Sequence, residues 1–294
     1  MAADEPPAVA RHRLRRALRR AREDRGLTQR QVAESLEWSL SKVNRIEAGD
    51  VTISSTDLQA LLRLYEITDP DLVAELLAEA RAARQRGWWD RPEYRDHLTS
   101  AMIQSIQFEA EATEIRSFQP TVIPGVLQTR AYAAAVIGAW GRLPEADRAS
   151  RLEVRARRRD ALFSRPEPPE YLLLLDESVM LREVGGPAAM SEQLYDLVAL
   201  GRAGRIRVRV APLAHTIPYF IGLFIIYARD SEDIALYRES ALGDEIVYSS
   251  DVILPHRDLF DRIWDTTLTE EASIDMVEAR AATLRAAAHL KPDG

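Results

Sequence analysis

The segment Thr28–Gly49, TQRQVAESLEWSLSKVNRIEAG, constrains the fold of this chain more than any other feature. Thr28 and Ser39 are residue types that cap helix N-termini, and Gly49 is the usual residue just beyond a helix C-terminus. The apolar positions between them are spaced so that they face one core: Val32, Ala33, Leu36, Val43 and Ile46. The segment therefore predicts two short helices joined by a tight turn, the second of which runs to about Ala48.

The second of these helices leaves a polar and basic face to solvent. A helix of this kind can lie in the major groove of DNA, where residues near its N-terminus reach base edges. Arg45 can donate two hydrogen bonds to guanine, Ser41 can bond most bases, and Leu40 can contact a thymine methyl group. We therefore predict Leu40, Ser41 and Arg45 as base-reading residues of a sequence-specific protein that binds double-stranded DNA. An ordinary helical hairpin in an unrelated all-α protein is the alternative.

A second set of polar side chains is predicted to contact the DNA backbone. Phosphate oxygens are commonly bound by amide, hydroxyl and amino groups, and these contacts orient the protein on the duplex. The predicted backbone contacts are Thr28, Gln29, Ser39, Lys42 and Asn44. Asn44 could also read a base.

The segments on both sides predict helices that complete a small domain. Residues 11–25 hold eight arginines against two acids, with an apolar stripe at helical spacing formed by Leu14, Ala17, Leu18 and Ala21. Further helices are predicted at residues 57–67 and 69–86. Together they predict an all-α domain of five helices at residues 11–86, after a disordered tail at residues 1–10.

Composition excludes several classes of protein. The 294 residues are enough for two domains, and the absence of Cys excludes disulfides, thiolate metal sites and a cysteine nucleophile. No apolar run approaches the roughly 20 residues that span a bilayer, so we expect a cytoplasmic protein. A net charge of −7 with the arginines concentrated early favours a defined DNA-binding face over general coating of DNA.

The remainder of the chain predicts a mixed α/β domain with one central sheet at residues 97–294, after a junction at residues 87–96. Strands are predicted at residues 171–178, 205–213, 222–229, 233–240 and 244–250. Helices are predicted at residues 97–117, 145–163, 186–201, 252–267 and 270–290. The first two strands flank a helix, which indicates a parallel pair, and the last three indicate an antiparallel meander.

Two features of this domain leave alternatives open. The segment QPTVIPGVLQT at residues 119–129 has two prolines and a glycine that fix a turn. Its backbone groups either pack against the sheet, which we favour, or hold a ligand. The helix at residues 145–163 carries six arginines, which either face solvent beside acidic partners or contact an anionic ligand or a DNA backbone.

At two places the sequence resembles a known family. WSLSKVNRIEAG at residues 38–49 and DLQALLRLYEITDP at residues 57–70 resemble the Xre/Cro-type helix–turn–helix regulators. They resemble in particular an actinobacterial group that carries a poorly characterised C-terminal α/β domain. QPTVIPGVLQT resembles the signature of that C-terminal domain. The resemblance implies a transcription regulator.

The resemblance also implies roles for single positions. Those matching Leu40, Ser41 and Arg45 read bases in related repressors, and the one matching Gln29 holds a phosphate. The chain departs from the pattern twice. Glu37 stands in the turn where Gly is usual, which is costly if the backbone is left-handed, and Ala48 replaces an Asn that often bonds phosphate.

No catalytic pattern emerges from the C-terminal region. Its histidines lack metal-ligand spacing, and it has no phosphate-binding glycine loop or nucleophile elbow. Asp176 and Glu177 follow a buried strand, but no spacing relates them to His215. We expect no enzyme activity, no metal and no cofactor.

An apolar loop, AHTIPYFIGLF at residues 214–224, is the candidate contact surface of this domain. Within it the predicted partner or ligand residues are His215, Ile217, Tyr219 and Phe220. We expect a small partner protein, since in the resembling group such a protein is often encoded nearby. A small-molecule ligand and a DNA-tethered enzyme are the alternatives. A homodimer is expected because one helix–turn–helix reads only a few base pairs.

Overall fold

The structure is a computed structural model that describes residues 7–49, 51–139, 141, 143–214, 222–230, 232–240 and 242–290. The chain divides into two compact units, Met1–Asp90 and Arg91–Gly294.

The described part of the first unit contains five α-helices, as predicted. They are α1 (Pro7–Asp24), α2 (Gln29–Ser35), α3 (Leu40–Ala48), α4 (Ser55–Leu64) and α5 (Pro70–Ala82). Helix α1 begins earlier than predicted, so the prediction of a disordered tail is wrong for residues 7–10. Ala10 packs with Ala82 and Ala83 at the end of α5, a contact between distant segments that local sequence does not reveal.

One apolar core holds these helices together. Its buried members come from all five helices: Leu14, Leu18, Val32, Ala33, Val43, Ile46, Leu58, Leu61, Leu62, Leu76 and Ala80. The first six of these were predicted. Leu36, Ala17 and Ala21 are partly buried against it. The helical periodicity read from the sequence is therefore confirmed. Helix α4 begins at Ser55 and not at Asp57, because Ser54 accepts a hydrogen bond from the Asp57 amide and caps the helix earlier.

The described part of the second unit contains one mixed sheet of six strands, which confirms the predicted fold class. The strands are β1 (Glu114–Gln119), β2 (Glu170–Asp176), β3 (Arg207–Ala211), β4 (Phe224–Arg229), β5 (Glu232–Ser240) and β6 (Gly243–Val247). Their order is β3-β2-β1-β4-β5-β6. Strands β1, β2 and β3 are parallel, and β4, β5 and β6 form the predicted antiparallel meander.

Strand β1 is a correction to the sequence analysis, which placed a helix at residues 97–117. The helix there ends at Glu111, and β1 occupies the centre of the sheet between β2 and β4. Its sequence EIRSFQ includes Arg116, Ser117 and Gln119, which are buried although they are polar. The pattern of apolar residues therefore gave no strand signal, and pairing on both sides decides the conformation.

Helices cover both faces of this sheet. They are α6 (Pro92–Arg95), α7 (Ser100–Glu111), α8 (Arg130–Ala139), α9 (Glu145–Phe163), α10 (Glu177–Leu181), α11 (Gly186–Arg202), α12 (Ser250–Thr266) and α13 (Glu270–Leu290). On one face Phe260 of α12 packs in a core with Phe118 and Leu174. On the other face Ser105 of α7 is hydrogen-bonded to the Tyr227 hydroxyl at 2.6 Å.

The segment at residues 119–129 is tied to the surrounding helices through its backbone. The Ile123 amide donates to the Tyr132 hydroxyl at 3.3 Å, and the Thr129 amide donates to Gln193 at 2.7 Å. The Leu127 carbonyl accepts from Gln193 at 2.9 Å and from Arg159 at 3.2 Å. These bonds support the packing role of the QPTVIPGVLQT segment.

Two features are absent from the described ranges. None of the helices there is long and apolar enough to cross a membrane. Those ranges also contain no group of three or more His, Asp and Glu side chains that could hold a metal ion.

Candidate nucleic-acid interface

Helix α2 begins where the sequence predicted, and helix α3 both begins and ends there. Thr28 accepts from the Gln31 amide at 3.2 Å while the Gln31 side chain accepts from the Thr28 amide at 2.9 Å, which forms a capping box. Ser39 accepts from the Lys42 amide at 3.2 Å at the start of α3. Gly49 ends α3 in the left-handed conformation with φ of 80°. Two predicted backbone contacts, Thr28 and Ser39, thus have a capping role in the fold.

The turn between the two helices contains a left-handed Glu37. Its φ is 55°, so Glu37 adopts the left-handed conformation at the position where the resembling family usually has Gly. The next amide, that of Trp38, donates to the Ala33 carbonyl at 2.8 Å and closes the end of α2. A non-glycine residue held at this φ strains the turn.

Helix α3 separates its side chains into a buried face and an exposed one. Val43 and Ile46 are buried in the core. Leu40, Ser41, Asn44 and Arg45 are exposed, and Leu40 has 39% of its surface accessible, which is high for an apolar side chain. The three predicted base-reading residues therefore share one solvent-facing side of a short helix.

Lys42 has an intramolecular partner that the sequence did not predict. Its ammonium group lies 2.7 Å from the Asp57 carboxylate of α4 and 3.7 Å from the ring centroid of Trp38. An ion pair and a cation–π contact together hold the side chain against the domain. Lys42 would have to leave Asp57 to bind a phosphate.

A buried ion pair fixes α3 to α1. The Arg22 guanidinium donates to both Glu47 carboxylate oxygens, at 2.7 and 3.1 Å, and to the Leu27 carbonyl at 2.7 Å. The hydrogen bond and charge of Glu47 raise the pKa of Arg22 above its usual value. Gln29 donates to Glu47 at 2.8 Å, so the predicted phosphate ligand is also anchored here. No local pattern indicates the pairing of Arg22 with Glu47, because the two residues are 25 positions apart in the chain.

An open groove of about 570 Å³ lies between the start of α2 and the end of α3. Arg19, Thr28, Gln29 and Asn44 line it together with the Arg22–Glu47 pair. The groove collects hydroxyl, amide and guanidinium donors, which are the groups that bind phosphate. Because Arg22 neutralises the Glu47 carboxylate, the negative charge of Glu47 does not repel a phosphate that enters the groove.

The candidate residues of the second unit either lie outside the described residues or have a structural role. The predicted partner or ligand residues His215, Ile217, Tyr219 and Phe220 lie outside the described residues. Asp176 caps α10 by accepting from the Ser178 amide at 2.8 Å. Glu177 accepts from the Leu213 amide at 2.7 Å. Asp176 therefore caps the helix that follows β2, and Glu177 connects that helix to the segment after β3.

Two family models match the chain. One, described as a helix-turn-helix domain, matches residues 13–76 and covers the groove and helix α3. The other, described as Domain of unknown function (DUF5753), matches residues 103–279 and covers the sheet. No curated protein and no solved structure matches the chain significantly. The first match indicates a DNA-binding regulator. The second match spans more than half of the chain. The chain therefore belongs to the family of the domain of unknown function DUF5753, and in this chain a helix–turn–helix domain precedes that domain.

Proposed function

We propose that this protein is a sequence-specific transcription regulator whose helix α3 reads bases in the DNA major groove. The exposed side of α3 carries the proposal, because it presents Leu40, Ser41 and Arg45 together while Val43 and Ile46 anchor the opposite side. This is the presentation that a recognition helix requires. The resemblance to Xre/Cro-type regulators supports the same role.

The backbone contacts follow from the groove beside α3. Thr28, Gln29 and Asn44 line it, and a phosphate placed there would meet an amide, a hydroxyl and the nearby Arg19. Contacts of this kind orient α3 but carry no sequence information. In this proposal they supply the salt-dependent part of the affinity.

The proposal includes a homodimer. A single recognition helix contacts too few base pairs to select one site in a genome, and two-fold pairing doubles the sequence that is read. The expected operator is an inverted repeat with half-sites about one helical turn apart.

For the second unit we propose a partner protein that modulates DNA binding. Leu242 is fully exposed and Leu254 is 52% exposed. Leu242 lines a groove of about 640 Å³ with Leu223, Pro255 and Leu259, and apolar surface of this kind favours a protein contact. A small-molecule ligand is the second candidate. It is favoured by a separate cluster of arginines on helix α9, formed by Arg151, Arg155 and Arg158.

Selection of bound fragments from sheared genomic DNA tests the DNA-binding proposal. A shared inverted repeat is the expected outcome, and fragments without a common motif would contradict it. With the recovered operator, Arg45→Ala should cost about 1–3 kcal/mol at one base position and relax the preference there.

The matched control for this substitution is Arg81→Ala, which removes an exposed arginine from α5. It should leave the base preference unchanged and weaken binding only slightly. Equal losses on every sequence in the Arg45 variant would make Arg45 a backbone contact.

A further inference from the structure

Helix α9 of the second unit carries three arginines on one side, at positions 151, 155 and 158. The spacing of four and three residues places them above one another on the helix. Arg158 is buried, and its guanidinium is paired with the Glu109 carboxylate of α7 at 2.8 and 3.3 Å. The charge of Arg158 is therefore balanced within the fold.

Arg155 lacks such a partner. Its Nε donates to the Gln128 side-chain oxygen at 3.0 Å, and one terminal nitrogen donates to the Arg151 carbonyl at 3.3 Å. Both acceptors are neutral. Within the described residues no carboxylate comes within ion-pairing distance of Arg155 or Arg151. The Nε of Arg151 is buried and has no hydrogen-bond partner there.

The surroundings make these charges costly. Burial and the like charges of Arg158 and Arg151 lower the pKa of Arg155 to about 10, so the group is still protonated at neutral pH. The charge of Glu239 on β5 raises the pKa of Arg155, although the two side chains form no ion pair. Its own pKa is raised, first by burial and then by Asp244. Charges withdrawn from water are normally paired, so two neighbouring guanidiniums without a carboxylate indicate a missing anion.

The turn that follows Pro124 lies against one side of the cluster. A β-carbon added at Gly125 would lie 3.5 Å from a terminal nitrogen of Arg158 and 3.6 Å from Arg155 Nε. A larger side chain at this position would extend across the guanidiniums. Gln128 is held in place because its amide nitrogen donates to the Ile123 carbonyl at 2.8 Å. The QPTVIPGVLQT segment thus forms one wall of the cluster.

We propose that Arg151 and Arg155, of which Arg155 is held by Gln128, bind the phosphate or carboxylate group of a small anionic molecule. Guanidinium groups match the geometry of both oxyanions through paired hydrogen bonds. Duplex DNA is a poorer occupant, since both arginines are partly buried on α9 while backbone contacts need an exposed surface. The inference deepens the small-molecule alternative for this unit and does not depend on DNA binding.

The test is isothermal titration of the full-length protein, without DNA, at constant ionic strength. Sodium pyrophosphate and sodium citrate are the two probes, with sodium chloride as the reference. We expect saturable binding of at least one probe at millimolar concentrations or below. Saturation with pyrophosphate alone assigns a phosphate-bearing ligand, and saturation with citrate alone assigns a carboxylate-bearing one.

Matched variants locate the site. Arg155→Gln should weaken binding about 10-fold or more, because a charge-assisted pair of hydrogen bonds is lost. Arg148→Gln is the control, since Arg148 is an exposed arginine about two turns earlier on the same helix and lies 3.8 Å from the Glu145 carboxylate. It should bind like the unmodified protein. Equal binding by both variants would overturn the proposal, as would the absence of saturable binding of either probe.

A second measurement covers the case in which Arg155→Gln does not fold. The unmodified protein is treated with phenylglyoxal, which modifies accessible arginines, and the modified positions are mapped by mass spectrometry. The bound probe should protect Arg151 and Arg155 but leave Arg148 reactive. Equal modification with and without probe would refute the site. A protein that loses DNA affinity but still binds the probe would be impaired only in the first unit. DNA binding and the anion site are therefore tested separately.

Discussion

Removal of the Glu47 carboxylate should destabilise the first unit and release helix α3. The Glu47 side chain is 5% exposed and that of Arg22 is 11% exposed, so the pair is almost fully withdrawn from water. Breaking a buried pair from one side costs about 3–5 kcal/mol, because the remaining charge loses its partner. Arg22 would keep the Leu27 carbonyl at 2.7 Å, and the adjacent groove admits water. The carbonyl and the water compensate in part for the lost carboxylate. We therefore expect Glu47→Ala to lower the free energy of unfolding by about 3 kcal/mol, the lower end of this range.

Amide hydrogen exchange in the full-length protein measures this cost within one unit. The amides of Val43 and Ile46 lie in the core helix, and their exchange requires opening of the domain. A loss of about 3 kcal/mol should accelerate that exchange roughly 100-fold, since each 1.4 kcal/mol is a factor of ten. The amides of the second unit should exchange at unchanged rates.

Two further variants separate the ion pair from general effects of substitution. Glu34→Ala removes an exposed carboxylate from α2 and should change stability by less than about 0.5 kcal/mol. Arg22→Met combined with Glu47→Leu replaces the pair by apolar groups and should recover most of the lost stability. If Glu47→Ala behaves like Glu34→Ala, the pair does not hold α3 in place and the reasoning is refuted.

Three further substitutions test the interface. Glu37→Gly should raise the free energy of unfolding by roughly 0.5–1 kcal/mol, because glycine adopts a φ of 55° without strain; a lower urea midpoint would contradict this. Ser39→Ala should cost about 1 kcal/mol through loss of the α3 cap, and an unchanged midpoint would show that the bond to Lys42 is dispensable. Lys42→Ala should reduce the salt dependence of DNA binding by about one unit if Lys42 leaves Asp57 for a phosphate. An unchanged slope would mean that it stays on Asp57.

The helix–turn–helix could be predicted because its signals are local. Caps, apolar spacing and the terminal glycine act within a few residues, so Thr28, Ser39 and Gly49 mark the ends of helices wherever they occur in this pattern. The same holds for β2, where the run of buried leucines indicates a strand covered on both faces.

Strand β1 illustrates what local reading misses. Its apolar pattern is interrupted by three buried polar residues, Arg116, Ser117 and Gln119, whose partners include a distant residue and one another. Arg116 reaches Asp261 of α12 at 3.2 Å, and Gln119 bonds Ser117 at 2.9 Å. A central strand of this composition is stabilised by its neighbours, which the sequence does not place beside it.

Periodicity and capping within single elements are enough to predict the five-helix domain, the exposed side of α3 and the class of fold that follows it. The tertiary structure alone decided which charges are paired. Arg22 meets Glu47 and Lys42 meets Asp57, whereas Arg155 meets only neutral acceptors. Charge pairing depends on the distance between side chains that are often far apart in the chain, so only the folded arrangement distinguishes a structural arginine from one available to a ligand.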